Sequence, residues 1–276
     1  MTDFYVQLIE KSGFSEALVR RAIEFSKTVD MESFSRSFFD ETPFVVEKTG
    51  VLSFKEAFYP YNFYSLMQNV PLACETSALY IYISLSERSY KAHIDRGLDE
   101  IIFFDTMKSI FDASKIYAAD TGKDGVYDYH FLANHIRGNI QRLGVFEYQY
   151  GSFDDKKVII LHVPDRADMN TANRIFSYNL ARRYFGNFPI VGDSWLLYPE
   201  HKKMLPEDSN IVDFMGDFDI VSVSETTDYS ELFHVFGRIK DYSYENLPKS
   251  TSLQKAYAER VKNNLPVGSA VGKLKY

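Results

Sequence analysis

The sequence predicts an α+β protein in which a helical N-terminal domain is followed by a mixed β-sheet domain with flanking helices. In the first part of the 276-residue chain, apolar residues recur every three or four positions, which is typical of amphipathic helices. After Leu143-Gly144, short alternating and continuous apolar runs indicate strands. A glycine-containing polar stretch at residues 121–125 is a strong helix stop. We therefore expect two domains, residues 1–126 and residues 127–276.

The first predicted helix follows Ser12, which we expect to cap it. Its apolar side carries Phe14, Leu18, Ala22 and Phe25, and charged residues occupy the opposite side. This pattern predicts a helix that packs against a core on one face only.

Three further helices are predicted in the N-terminal domain. Residues 53–67 have an apolar side, although Pro60 must kink or end this helix. Residues 75–85 are apolar nearly all round, which predicts a buried helix, with a strand as the alternative. Residues 98–119 have the pattern of a helix packed into a bundle.

The second domain begins with a predicted helix at residues 127–141, and a β-hairpin follows. Its strands are residues 145–150, where apolar and polar residues alternate, and residues 157–164, which are apolar on both sides as in a central strand. An amphipathic helix at residues 171–185 comes next, with Gly186 as its stop.

The remaining elements complete the sheet. We predict strands at residues 189–197, 218–224 and 232–238, and one or two helical turns at residues 200–205. The predicted order in the second domain, from its first strand, is therefore β-β-α-β-α-β-β.

Composition and charge exclude several functional classes. The net charge is -7, and no stretch concentrates lysine and arginine on one predicted face, so we expect no nucleic-acid partner. The single cysteine, Cys74, cannot form an intrachain disulfide. The chain start does not resemble a signal peptide, and no apolar run reaches the roughly 20 residues that span a bilayer. We therefore expect a cytoplasmic protein without a membrane partner.

His130 and His135 are five residues apart, which favours no shared metal site.

Several segments resemble a bacterial family of acyltransferase-domain proteins. These segments are Arg96-Gly97, Asp105-Thr106, HIRGNIQRLG at residues 135–144, VIILHVP at 158–164, DSWLLYP at 193–199, LPEDSNI at 205–211 and LPKSTSLQ at 247–254. The resemblance runs from about residue 90 to the end. Members of that family pair a helical N-acyltransferase-type N-terminal domain with a GNAT-like C-terminal domain. The resemblance thus implies an enzyme that transfers an acyl group from acyl-coenzyme A, its co-substrate, to an amine of a small molecule or a protein.

The resemblance also implies where coenzyme A would bind. In GNAT folds, the loop and helix N-terminus after a central strand hold the pyrophosphate, because free backbone N–H groups there attract anions. The corresponding residues here are Arg166, Met169, Asn170 and Thr171. For Asn170 and Thr171, helix capping without a ligand is the alternative. Trp195 is either a wall of the acyl pocket or a core residue.

Five residues are the catalytic candidates that the resemblance suggests. His162 precedes the point where two neighbouring GNAT strands separate, and its ordinary pKa suits a general base. Glu147 is the alternative base. Asp193 and Ser194 lie on the next strand, where they are expected to face His162 as an orienting carboxylate and a polarising hydroxyl. Tyr198 is the proposed proton donor to the departing thiolate. Structural hydrogen bonding and packing are the alternative roles for all five.

A second functional class stays open. The loop at residues 165–170 contains one basic residue and no glycine, whereas GNAT phosphate loops have closely spaced glycines. This favours a GNAT-like module that binds a ligand or partner without catalysis. A structural interaction protein is a third alternative, based only on the aromatic content of 16%.

Overall fold

The computed structural model describes residues 2–40, 67, 70–239 and 241–276. Within them, the N-terminal region is helical, and a six-stranded sheet with flanking helices follows. This confirms the predicted α+β fold class. The helices before the sheet are α1 (Asp3–Ser12), α2 (Glu16–Ser26), α3 (Met31–Asp40), α4 (Cys74–Asp95), α5 (Glu100–Thr121) and α6 (Tyr129–Ile136).

The start of the chain differs from the prediction in one respect. Ser12 does not cap a helix: it is the last residue of α1, and Gly13 ends that helix in a left-handed conformation at φ 89°. Ser15 is the actual cap of α2, where its side chain accepts a hydrogen bond from the N–H of Leu18. The predicted apolar face of α2 is buried as expected.

The buried helix predicted at residues 75–85 is part of α4, so the strand alternative is wrong. The helix predicted at residues 98–119 corresponds to α5. The helix predicted at residues 53–67 lies outside the described residues, apart from Met67. Helix α6 is shorter than predicted, and it packs into the helical core through Leu132, Ala133 and Ile136. The boundary between residues 126 and 127 stays a prediction.

The sheet region contains β1 (Gln141–Leu143), β2 (Phe146–Phe153), β3 (Lys156–His162), α7 (Thr171–Phe185), β4 (Ile190–Ser194), α8 (His201–Met204), α9 (Asn210–Gly216), β5 (Phe218–Thr226), α10 (Phe233–Phe236), α11 (Ser252–Lys262) and β6 (Val267–Leu274). The strands lie in the order β1-β2-β3-β4-β6-β5. Among the strands that the structure describes, only β3 and β4 pair in parallel, and α7 connects them. The predicted hairpin and the helix at residues 171–185 are confirmed.

Two predictions about the end of the sheet are wrong. Residues 232–238 are not a strand, because they form the end of a 3₁₀ turn and helix α10. The last strand is instead β6, which we did not predict. Its glycines obscure the apolar pattern, yet they are required: a Cβ on Gly268 would lie 2.3 Å from the Ser224 carbonyl oxygen. The strand predicted at residues 189–197 ends at Ser194, and Trp195–Leu197 is a 3₁₀ turn.

The two faces of the sheet have different surroundings. One face carries Tyr148, Ile159 and Leu161, which pack with Tyr178 and Phe185 of α7 in an apolar core. The opposite face carries the alternate residues of the same strands and turns toward α5 and α6. We call these the α7 face and the α6 face. On the α6 face, the helical region thus covers the sheet at Glu147 and His162.

Candidate functional site

Strands β3 and β4 stop pairing before either strand ends. Their parallel register joins Ile159–Leu161 to Ile190–Gly192, and no pair follows. Beyond it, Asp193 and Ser194 pair only with β6 on the other side. The carboxyl ends of β3 and β4 thus separate after Leu161 and Gly192, and ligands of α/β sheets bind at such openings. We call this opening the β3–β4 slot.

Three of the predicted catalytic residues lie together on the α6 face beside this slot. Glu147 is directly opposite His162 in the antiparallel pair of β2 and β3. Asp193 follows Gly192 on β4, so it is on the same face as Val191, which packs with Ile160. Because side chains alternate along a strand, Glu147, His162 and Asp193 share one face and one end of the sheet.

Glu147 is the most constrained of the three. Its carboxylate is buried, and its Oε2 lies 3.1 Å from Nε2 of His135, which α6 supplies. Burial by itself raises the pKa of Glu147, but the nearby His135 imidazole and the Ser109 hydroxyl outweigh burial and hold this pKa well below its usual range. Glu147 is therefore an ionised, already paired carboxylate with little tendency to take a proton.

His162 is buried and neutral at physiological pH. Burial lowers the pKa of its imidazole to about 4, against the opposing effect of Glu147. Its Nε2 lies 3.0 Å from Nε2 of Gln149, an amide nitrogen that can only donate. In this arrangement the Nε2 lone pair of His162 accepts a hydrogen bond. The edge of the ring also contacts Phe131, with ring centroids 5.2 Å apart.

Asp193 differs from its two neighbours because its side chain is exposed. No hydrogen bond or ion pair joins its carboxylate to another described residue. Surrounding protein nevertheless raises the pKa of this carboxyl by desolvation. An accessible, unpaired carboxylate with a raised pKa has the properties of a general base.

The N-terminus of α7 lies in the chain directly after β3 and its loop. Asn170 caps this helix, with its Oδ1 accepting from the N–H of Asn173 at 3.0 Å. The N–H groups of Thr171 and Ala172 belong to the first turn, which has no intrahelical partners. Neither N–H donates to another described residue. Two backbone donors therefore remain available for an anion.

An acidic side chain lies beside these donors. Oδ2 of Asp168 accepts hydrogen bonds from the side-chain amides of Asn170 and Asn173, both at 3.0 Å. Arg166 and Met169, the two predicted phosphate contacts that flank Asp168 in the chain, differ in exposure. Arg166 is exposed and adopts a left-handed conformation at φ 61°, whereas Met169 is half-buried against the core of the α7 face.

Ser194, Trp195 and Tyr198 are not brought to His162. Ser194 is paired with Ala270 of the α7-face core, and its hydroxyl accepts from the N–H of Leu196. Tyr198 contacts the position of Gly268, also on the α7 face, and its hydroxyl donates to Glu225. Its pKa is raised by burial and by Glu225. Trp195 stacks on His234 and packs with the C-terminal core.

Sequence reasoning missed Arg174, a fully buried charge in the first turns of α7. Its guanidinium donates to Asp217 at 2.8 Å, to Asp213 at 2.9 Å and to the Met169 carbonyl at 2.6 Å. The Met169 contact ties the loop before α7 to the helix. An arginine in a helix pattern is usually solvated, so the sequence carried no signal for this role.

Two features are absent from the residues that the structure describes. No cluster of three histidine, cysteine or acidic side chains has a metal-binding arrangement. None of the helices described in residues 2–40 and 70–276 has the length and apolar character needed to cross a bilayer.

Comparison with known proteins identifies a domain family and a fold. Residues 125–274 match the model of the GNAT-like C-terminal domain. Among solved structures, an acyltransferase in complex with decanoyl-CoA and teicoplanin has a TM-score of 0.67 and 23% identity, over 73% of this chain and 67% of its own. An acyltransferase in complex with decanoyl-CoA has a TM-score of 0.67 and 22% identity, over 75% and 69%. These similarities establish a shared fold. Comparison with curated proteins gave no match.

Proposed function

This chain belongs to the GNAT-like C-terminal domain family, and we propose that it transfers an acyl group from acyl-coenzyme A to an amine of a small molecule. The observation that carries the proposal is the β3–β4 slot, where pairing ends at Leu161 and Gly192. An extended pantetheine arm needs such an opening to bring a thioester from one edge of the sheet to its catalytic face. The two structural neighbours described above were solved with decanoyl-CoA, and one of these two also with teicoplanin.

The proposed donor site combines the slot with the N-terminus of α7. The N–H groups of Thr171 and Ala172 would bind the pyrophosphate, helped by the positive end of the helix dipole. Arg166 is exposed in the loop before the helix and would add a charge contact. The thioester would then lie near the end of the slot, beside His162 and Asp193.

The reaction needs one proton transfer in addition to acyl transfer. The amine nitrogen attacks the thioester carbonyl carbon, a C–N bond forms and the C–S bond breaks. The proton lost by the nitrogen finally resides on the coenzyme A thiol. We assign Asp193 as the base that removes this proton, because its carboxylate is accessible and unpaired, whereas the Glu147 carboxylate is paired with His135. His162 would act as a neutral group that shapes the site.

Coenzyme A binding is the first test. Coenzyme A at 100 times its dissociation constant should stabilise the native state by about 2.7 kcal/mol, which raises the melting temperature by several degrees. Turnover with decanoyl-CoA and a panel of primary amines, followed by thiol release, then tests transfer. Absence of any shift with coenzyme A and with short- and long-chain acyl-CoA would contradict the proposal.

A pair of substitutions at Thr171 tests the phosphate site. Thr171→Pro removes one unpartnered N–H, and proline suits the first helical position because Asn170 is already extended at ψ 153°. Thr171→Val loses the same hydroxyl but keeps the N–H, so it is the matched control. We expect coenzyme A to bind Thr171→Pro about 10-fold more weakly than Thr171→Val, since a hydrogen bond to a charged group contributes about 1.5 kcal/mol or more. Equal affinities would place the phosphates elsewhere.

A non-catalytic binding module is the second candidate function, and the position of Asp168 favours it. A carboxylate beside the N-terminus of α7 repels phosphate. Asp168→Asn keeps an acceptor for the two asparagine amides and removes the charge, so it should increase coenzyme A affinity if the site binds phosphate. Unchanged coenzyme A binding in this variant, together with no turnover in the wild type, would favour the binding module.

A further inference from the structure

Strand β5 is the most exposed regular element of the sheet region. It is nine residues long, lies last in the strand order and pairs only with β6. Every residue after Phe218 is exposed. No described strand pairs with its outer edge, so among residues 2–40, 67, 70–239 and 241–276 the backbone N–H and C=O groups of this edge have no strand partner.

The side chains of β5 include three exposed apolar residues. Ile220, Val221 and Val223 are 38%, 46% and 48% exposed. Residues 218–226 contain neither lysine nor proline, two residues that often prevent an edge strand from pairing with another chain. The charged side chains in this strand are Asp219 and Glu225, near its two ends, so the apolar residues occupy its middle.

The register with β6 shows which side chains of β5 share a face. Ile220 pairs with Gly272 and Val223 pairs with Ala270, two positions on the same face of β6. The register shifts between Ile220 and Ser222, so that Val221 is an extra, bulged residue. Ile220 and Val223 therefore lie on the same face, two steps apart in the ladder.

We propose that β5 pairs antiparallel with β5 of a second copy of this chain, about a two-fold axis between Val221 and Ser222. In this register Ile220 lies opposite Val223 of the second copy, and Val223 lies opposite its Ile220. Both apolar pairs share one face, and such pairs stabilise a sheet. An axis through Ser222 would instead place Asp219 opposite Glu225, which are like charges. The proposed register thus pairs apolar side chains and avoids this like-charge contact.

The resulting dimer has one continuous sheet across both copies. Strands β6 and β4 separate β5 from the slot, so pairing at this edge leaves the β3–β4 slot open. Dimer formation and coenzyme A binding are therefore independent, and each can fail without the other.

Sedimentation velocity of the full chain from low to high micromolar concentration tests the proposal. We expect a concentration-dependent twofold increase in mass. Val223→Lys should give a monomer over the same range, because it places a charge in each apolar pair. Ile101→Lys is the matched control: Ile101 is 63% exposed on α5, so its replacement removes an exposed apolar side chain without touching β5. A monomeric wild type, or equal loss of dimer in both variants, would overturn the proposal.

Cysteine crosslinking tests the register. Directly opposite residues have Cα atoms about 4.5–5.5 Å apart, within the range for a disulfide. An oxidised mixture of Ile220→Cys and Val223→Cys chains should give a crosslinked dimer. Each variant alone is the control, since both retain Cys74. Crosslinking of Val223→Cys chains with one another at the same yield would overturn the proposed register.

Discussion

Arg174 and Glu147 are both buried charges beside the central sheet, on opposite faces of it. On the α7 face, Arg174 bonds to two aspartates, and the hydroxyls of Tyr178 and Tyr276 also donate to Asp217. On the α6 face, Glu147 pairs with His135, but the surrounding cluster is incomplete. Among the described residues, buried Oε1 of Gln149 and both ring nitrogens of His135 make no hydrogen bond of good geometry, although Nε2 of His135 lies 3.1 Å from Glu147.

This difference predicts that the Arg174 cluster contributes more to the free energy of unfolding than the Glu147 cluster does. A buried network with every donor and acceptor satisfied fixes a unique packing, and unsatisfied buried polar groups are costly. The Arg174 cluster therefore anchors α7, and the Glu147 cluster is the one that borders the slot. Four predictions test this contrast by the free energy of unfolding.

The largest effect is expected for Arg174→Met. It leaves Asp217 buried without its cation, and breaking a buried ion pair costs about 3–5 kcal/mol. Urea denaturation measures this change in the free energy of unfolding, with the same dependence on urea concentration (m-value) used for the variant and the wild type. The double variant Arg174→Met, Asp217→Asn is the control, and it should recover part of the loss because no charge is left unpaired. A loss below about 1 kcal/mol in Arg174→Met would show that the network does not anchor the helix.

A pH-dependent effect of about 2–3 kcal/mol is expected from His162. Unfolded histidine takes a proton near its ordinary pKa, about 6.5, whereas folded His162 takes one only near pH 4. Protonation therefore favours the unfolded chain, and stability falls as pH decreases from about 6.5 to 4. His162→Gln should lose this component.

The readout is the difference between the wild-type and His162→Gln stability curves over that pH range. His201, whose pKa burial also lowers to about 4, remains in both proteins and so cancels. Parallel curves from pH 7 to 4 would contradict the buried, neutral state of His162.

A smaller effect, at most about 1 kcal/mol, is expected for Gln149→Met. Methionine has a similar shape, and it removes an unsatisfied acceptor together with the hydrogen bond to His162, two changes that oppose each other. The free energies of unfolding of Gln149→Met and Arg174→Met, both measured by chemical denaturation, are compared. The two variants introduce the same residue, methionine, one on each face of the sheet. Equal losses in the two variants would remove the distinction between the clusters.

The smallest effect on stability is expected for Asp193→Asn, within about 0.5 kcal/mol of the wild type. Its carboxylate has a raised pKa, so ionisation at neutral pH slightly disfavours the folded state, and the amide removes that cost. Turnover should nevertheless fall about 100-fold or more, as expected for loss of a general base. Coenzyme A binding should persist. Normal turnover in Asp193→Asn would exclude it as the base.

Short-range sequence patterns correctly predicted the β2–β3 hairpin and helix α7. The hairpin of β2 and β3 and the boundaries of α7 follow from alternation, turn residues and the Gly186 stop. Strand β6 was missed because its pairing with β5 requires glycines, and glycine lowers any apolar signal. Residues 232–238 were apolar enough for a strand, but tertiary packing makes them helical.

The candidate site was predictable only in part. The positions of His162 and Asp193 at the ends of adjacent strands follow from the predicted order. Alternation alone should have separated Ser194 from Asp193, since successive side chains point to opposite faces. The contact of His135 with Glu147 joins α6 to β2, and no short-range pattern encodes such a contact.

The short parallel ladder has a mechanical consequence at the centre of the sheet. Three residue pairs connect β3 to β4, as three connect β1 to β2 and four connect β4 to β6, against seven between β2 and β3 and eight between β5 and β6. The central parallel ladder is therefore as short as the ladder at the β1 edge. Because fewer backbone hydrogen bonds hold β3 to β4 than hold β2 to β3, a molecule that enters the open end separates β4 from β3 more easily than it separates the two strands of the hairpin.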